Sequence, residues 1–132
     1  MLKNEGRANK YTFHKKERLC SKKEITELFE QGSSFKIFPI KVIYKITKDY
    51  SGDHKVLFTV SSRNFKKAVD RNKIKRRLRE AYRLNKPRYL GVKKDEFTLN
   101  IAYIYIGRKV FDYQFLEERL IASLTRLKEI SS

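Results

Sequence analysis

Cysteine is all but missing from these 132 residues. Cys20 stands alone with no internal partner, so no disulfide staples the chain, and a reducing, cytoplasmic setting is its simplest home. Long apolar runs are missing as well. The longest, IAYIYI from Ile101 to Ile106, falls far short of the roughly 20 residues a membrane helix needs, so no membrane partner is expected. The basic opening, MLKNEGRANKYTFHKKERL, has no apolar stretch behind it and does not read as a secretory signal. Catalytic signatures are equally scarce: there is no glycine-rich phosphate loop and no GxSxG turn for a nucleophile. His14 and His54 stand far apart, with no acid or cysteine spaced as metal co-ligands. The adjacent acids Asp95/Glu96 and Glu117/Glu118 suit a turn and a helix start better than acid–base chemistry. No protein active site, no small-molecule substrate and no cofactor held by a protein motif are expected.

Acidic residues are the most informative shortage. Only 15 Asp and Glu face 32 Lys and Arg, a net charge of +17. So self-repulsive a chain normally pairs with a polyanion, for which nucleic acid and an anionic membrane surface are the candidates. Hydrophobic content of 40% and aromatic content of 13% nevertheless support a real core. With no repeat, linker or composition break, residues 1–132 read as a single domain. Residues 1–18, polar and basic, read as an extended arm anchored by Phe13.

The pattern then predicts helix, hairpin, helix, strand, helix, an α+β layout with one mostly antiparallel sheet packed with three helices. SKKE places Ser21 at a cap and Glu24 three residues on, a capping box, followed by Ile25, Leu28 and Phe29 and closed by Gly32; the helix spans 22–31. From Ser34 to Thr47 the text is strand, with Ile40, Val42, Tyr44 and Ile46 on one face and Pro39 marking an edge, a bulge or a break. DYSGD reads as a turn, and KVLFTVSS, 55–62, as the return strand of the hairpin. A helix over 68–85 stops because Pro87 disfavours helical geometry at Lys86. After the loop RYLGVKKD, the run EFTLNIAYIYI, 96–106, is apolar on both faces and reads as a central strand. Asp112 caps the last helix, whose core face is Leu116, Leu120, Leu124 and Leu127.

The stretch KKAVDRNKIKRRLREAYRLNK, 66–86, carries the chemistry. Val69, Ile74, Leu78, Ala81 and Tyr82 are spaced for packing. At 100° per residue, Asn72, Lys75, Arg76, Arg79 and Arg83 gather on the side opposite Ile74, and Arg71 sits at the boundary. One stripe holds the helix on the sheet while the other offers a rigid row of cations, and rigid placement reduces the entropy lost on binding. Arginine adds a planar fork that grips phosphate through two hydrogen bonds. A charge run is usually just a solvated face, but here few acids relieve it and the whole chain shares its sign, so binding is the better reading. Phe13, Phe29, Phe35, Phe38, Tyr44 and Tyr103 raise a second possibility, an aromatic cleft for single-stranded RNA, although each one taken singly is more commonly core.

AVDRNKIKRRLREAYR, 68–83, resembles the signature helix of the bacterial ribonuclease P protein component, an Arg-Asn pair followed by Lys-Arg and then Arg-Glu. FHKKERLCSKKEITELFEQG, VLFTVSSR and FTLNIAYIYIGRK resemble its surroundings over nearly the whole chain. One departure is RNFKK, 63–67, where the family pattern places a glycine-bearing basic turn. The resemblance implies a left-handed βαβ crossover. It also implies a ribonucleoprotein that removes the 5′ leader from precursor tRNA, with the catalytic RNA and its Mg²⁺ ions performing the cleavage. The signature residues Arg71, Asn72, Lys75, Arg76, Arg79 and Arg83 would bind that RNA. A cleft using Phe13, Ile25, Phe29 and Tyr44 would hold the leader. The alternative is a ribosomal or other structural RNA-binding protein with no part in cleavage.

Overall fold

The computed structural model describes residue 13 and residues 15–47, 54–90 and 98–131. The predicted arm up to residue 12, His14, the DYSGD turn, most of the RYLGVKKD loop and the start of the last strand lie outside the described residues. A 3-10 turn, Lys15–Glu17, leads into α1 (Lys22–Gln31), β1 (Ser33–Ile37), β2 (Ile40–Thr47), β3 (Lys55–Val60), α2 (Ala68–Tyr89), β4 (Thr98–Tyr105) and α3 (Tyr113–Ser131). Three helices thus pack on one four-stranded sheet, in an α+β arrangement.

The hairpin lies elsewhere than predicted. β1 and β2 form it, antiparallel, across a turn at Phe38–Pro39, whose peptide bond is cis. The strand order β1-β2-β4-β3 inserts β4 between β2 and β3, and β3 runs parallel to β4. The reason is burial. β4 is apolar on both faces and belongs inside the sheet, where each face meets a hydrophobic layer. β3 is joined to β4 through α2, the kind of crossover that a parallel pair requires.

The two layers are distinct. On one face Val42, Val56, Phe58, Ile101, Tyr103 and Tyr105 pack under Ile74, Leu78, Ala81 and Tyr82 of α2 and Leu116, Leu120, Leu124 and Leu127 of α3. On the other, Ile43 and Ala102 meet Leu19 and Leu28, with Ile25 beside them. α1 leaves Gly32 so close to the sheet that a Cβ there would lie 2.5 Å from the Leu28 carbonyl oxygen and 2.9 Å from that of Tyr44. Only glycine fits.

Three smaller expectations need correction. The capping box is one-sided: Ser21 Oγ accepts from the Glu24 backbone N–H at 3.3 Å, but the Glu24 carboxylate turns to Lys55 Nζ at 3.2 Å instead of back to the cap. Val69 is 70% exposed, because it sits about 140° around α2 from Ile74. α2 runs through Pro87 to Tyr89. A proline in the last turn removes a single ladder bond, and the helix beyond it is secured by the Lys86–Glu17 ion pair, by Leu90 N–H donating to the Lys86 carbonyl at 2.8 Å, and by Tyr89 and Leu90 packing on the core.

The aromatic centre of the larger layer gives a pH prediction. Tyr103 stacks on Phe58 at 5.5 Å with rings 8° apart, and its hydroxyl is hydrogen-bonded to Ser123 Oγ at 3.0 Å. Burial pushes the Tyr82 and Tyr103 phenols well above their ordinary range. Tyr113 is pushed up to about 12, first by burial and then by its Glu117 neighbour. Folding therefore favours the protonated phenols. Their contribution is intact below about pH 10, where an unfolded tyrosine ionises, and fades as pH climbs from there. Absorbance near 295 nm should show a late group of tyrosines that ionises together with loss of the circular dichroism signal; a smooth titration of all eight near pH 10 with structure retained would contradict this. The Tyr82 hydroxyl is also buried without a hydrogen-bond partner among the described residues. An orphaned buried hydroxyl costs about 1–3 kcal/mol, so Tyr82→Phe should hold or raise Tm, and a clear drop would reveal a partner.

Candidate nucleic-acid interface

α2 is built to present charge. Ile74, Leu78, Ala81 and Tyr82 are wholly buried, while Asn72, Arg76 and Arg79 are exposed and Lys75 is half-buried. Among the described residues none of these four polar side chains has a hydrogen-bond or ion-pair partner. Lys73 is exposed beside them, a cation the sequence reading left out although its spacing put it within reach.

Arg71 and Arg83 differ from the rest. Arg71 Nη1 donates to the Phe65 and Lys66 carbonyls at 2.5 and 3.0 Å, clasping the turn that enters the helix. That turn is the one lacking the expected glycine. Here Arg63 N–H donates to Ser61 Oγ at 3.1 Å, Phe65 is buried against Tyr105, and no non-glycine residue described has positive φ. Arg83 forks onto Glu80 at 2.6 and 3.1 Å. The hydrogen bond from Arg83 holds the Glu80 carboxyl below its usual range. At this exposure the pair is worth about 0–1 kcal/mol, so a phosphate can compete for Arg83 with little loss.

The four residues read as a leader cleft do not share one surface. Ile25 packs into the α1 layer, and Phe29 on the same helix is 45% exposed. Tyr44 and Phe13 pack against the opposite layer. Phe13 is edge-on to Phe58 and Tyr82 at 6.0 and 5.9 Å, with the Lys86 ammonium 5.8 Å from its ring. Phe35 and Tyr103 are core.

The α1 side of the sheet holds cations instead. Lys45 and Lys55 are engaged by α1, Lys45 with Gln31 at 3.1 Å and Glu27 at 3.6 Å, Lys55 with Glu24. Lys36 and Lys41 face each other across β1 and β2, with no carboxylate paired to either among the described residues. Like charges directly opposite in a sheet repel. Their signal in sequence was the alternation that put Lys41 on the side of Ile43, but the β1 register was needed to bring Lys36 opposite.

A family profile for Ribonuclease P matches residues 13–128. The chain belongs to the ribonuclease P protein family. It is 32% identical over 115 residues to the ribonuclease P protein component of Porphyromonas gingivalis, covering 86% of this chain and 84% of that one. It is 37% identical over 122 residues to that of Chlorobium phaeobacteroides, covering 83% of each. In structure it is similar to the RNase P protein of Thermotoga maritima, with a TM-score of 0.67 at 24% identity over 83% of this chain and 98% of that one. The mixed sheet with β3 parallel to β4 is thus the fold of this family, and the signature helix is its longest element.

Proposed function

We propose that this chain is the RNA-binding protein subunit of a cytoplasmic ribonuclease P, which matures the 5′ ends of precursor tRNA. The observation that carries this is the row of Asn72, Lys75, Arg76 and Arg79, unpartnered among the described residues, on a helix whose opposite stripe is wholly buried. Those side chains can meet phosphates of the catalytic RNA without first giving up contacts within the protein. The leader of the precursor tRNA fits the α1 side, where Ile25 and Phe29 supply apolar surface and Lys36 and Lys41 supply charge.

The chemistry belongs to the RNA. Among the described residues no group of three His, Cys, Asp or Glu side chains is close enough to hold a metal ion. Mg²⁺ acts with the RNA subunit in hydrolysing one phosphodiester bond. The protein's part is electrostatic: it lowers the repulsion between two polyanions, the catalytic RNA and its substrate. This help matters most when divalent cations are scarce.

The test follows from that reasoning. Adding the chain to catalytic RNA and 5′-labelled precursor tRNA at low Mg²⁺ should accelerate leader release, and the gain should shrink as Mg²⁺ rises. Log affinity should fall with log salt by roughly 0.7–0.9 per neutralised phosphate. Tight RNA binding with no gain in leader release would instead make this a structural RNA-binding protein.

A further inference from the structure

Beyond the signature row, the β1–β2 turn and the start of α3 form an aromatic step that the ridge does not use. Phe38 is 57% exposed and stands edge-on to Phe111, centroids 6.0 Å apart at 86°. Phe111 leans on Phe115 at 4.7 Å. Cations rim the step: Lys109 Nζ lies 5.0 Å from the Phe111 ring centre and the Arg119 guanidinium 4.9 Å from that of Phe115.

The step is held rigidly. The Tyr105 hydroxyl donates to the Lys109 carbonyl at 2.6 Å and accepts from the Phe111 N–H at 3.4 Å. Arg77 Nη1 donates to the Phe111 carbonyl at 2.6 Å. Arg77, next to Arg76 in sequence, thus ties the step to α2. At the start of α3, Asp112 Oδ1 accepts the Phe115 N–H at 2.9 Å.

We propose that this step is a second RNA contact, on which one or two unpaired nucleotides of the RNA partner stack against Phe38 and lay phosphates on Lys109 and Arg119. The exposed Phe38 ring, with Lys109 and Arg119 nearby, suits a base and its phosphate, since every base has a face to stack and each linkage carries a charge. A second copy of this chain, itself carrying +17, would be repelled from the same surface. The proposal rests on the reading of α2 as an RNA-binding ridge.

The chain contains no tryptophan, so Phe38→Trp places a single emitter on the step. Titration of that variant with ribonuclease P RNA should quench its emission. Ile130→Trp, in the last turn of α3 and away from the step, should show no such change. Phe38→Ala should weaken RNA affinity about 10-fold, and Lys109→Ala with Arg119→Ala should flatten the salt dependence while Tm holds. Full-strength RNA binding with unchanged emission and an unaffected Phe38→Ala variant overturns this proposal and leaves the ridge intact. Failure of the unaltered chain to bind the RNA at all overturns both. Emission that changes with protein concentration in the absence of RNA assigns the step to self-association and overturns it as well.

Discussion

Glu17→Gln should lower Tm by about 10–15 °C, the largest loss expected from any single polar substitution in the described residues. Glu17 and Lys86 form an ion pair with side chains only 10% and 12% exposed, joining the 3-10 turn to the end of α2. Replacing the carboxylate by an amide takes the negative charge away from an ammonium that lies 5.8 and 5.7 Å from the ring centres of Phe13 and Tyr82. Removing one member of a buried ion pair costs about 3–5 kcal/mol, whereas exchanging both partners for apolar groups of similar size is close to neutral. Glu17→Leu combined with Lys86→Met should therefore recover most of the lost stability. A thermal melt of the three proteins decides the matter. A Glu17→Gln variant melting within about 2 °C of the unaltered chain would mean that the pair is hydrated and contributes little.

The complementary prediction concerns function without stability. Arg76→Ala with Arg79→Ala should weaken binding to ribonuclease P RNA by about 100-fold, because a hydrogen bond to a charged group contributes about 1.5–3 kcal/mol. The slope of log affinity against log salt should fall by about 1.5, one phosphate for each arginine. Tm should move by no more than about 2 °C, since both side chains are exposed and make no contact that folding needs. Arg71→Ala should do the reverse and lower Tm, because its guanidinium holds two backbone carbonyls at the helix entry. If the double variant bound RNA normally, the ridge would be a solvated face and the proposed interface would lie elsewhere.

The contrast between Arg71 and Arg79 marks where sequence reasoning stopped. Both are arginines of the same motif, and the helical wheel separates them by only about 80°. Whether an arginine faces solvent or bends back to a carbonyl depends on the turn before the helix. That turn is shaped by Phe65 finding a pocket against Tyr105, far away in the chain. Pro87 is a similar case. The local rule against helix before proline was overridden by an ion pair whose two members are separated by 69 positions. Phe13 and Tyr44 pack on the layer opposite Ile25, and aromatic letters by themselves do not show such a division.

The amino-acid order by itself determined the elements, the amphipathic split of the signature helix and the surplus of positive charge, because each depends on residues within a few positions of one another. Tertiary structure alone decided the strand order, the hairpin partner and the division of cations between those locked onto the protein and those left open. These follow from how a doubly apolar β4 is best buried. Only the folded sheet brings together the positions that compete for that place.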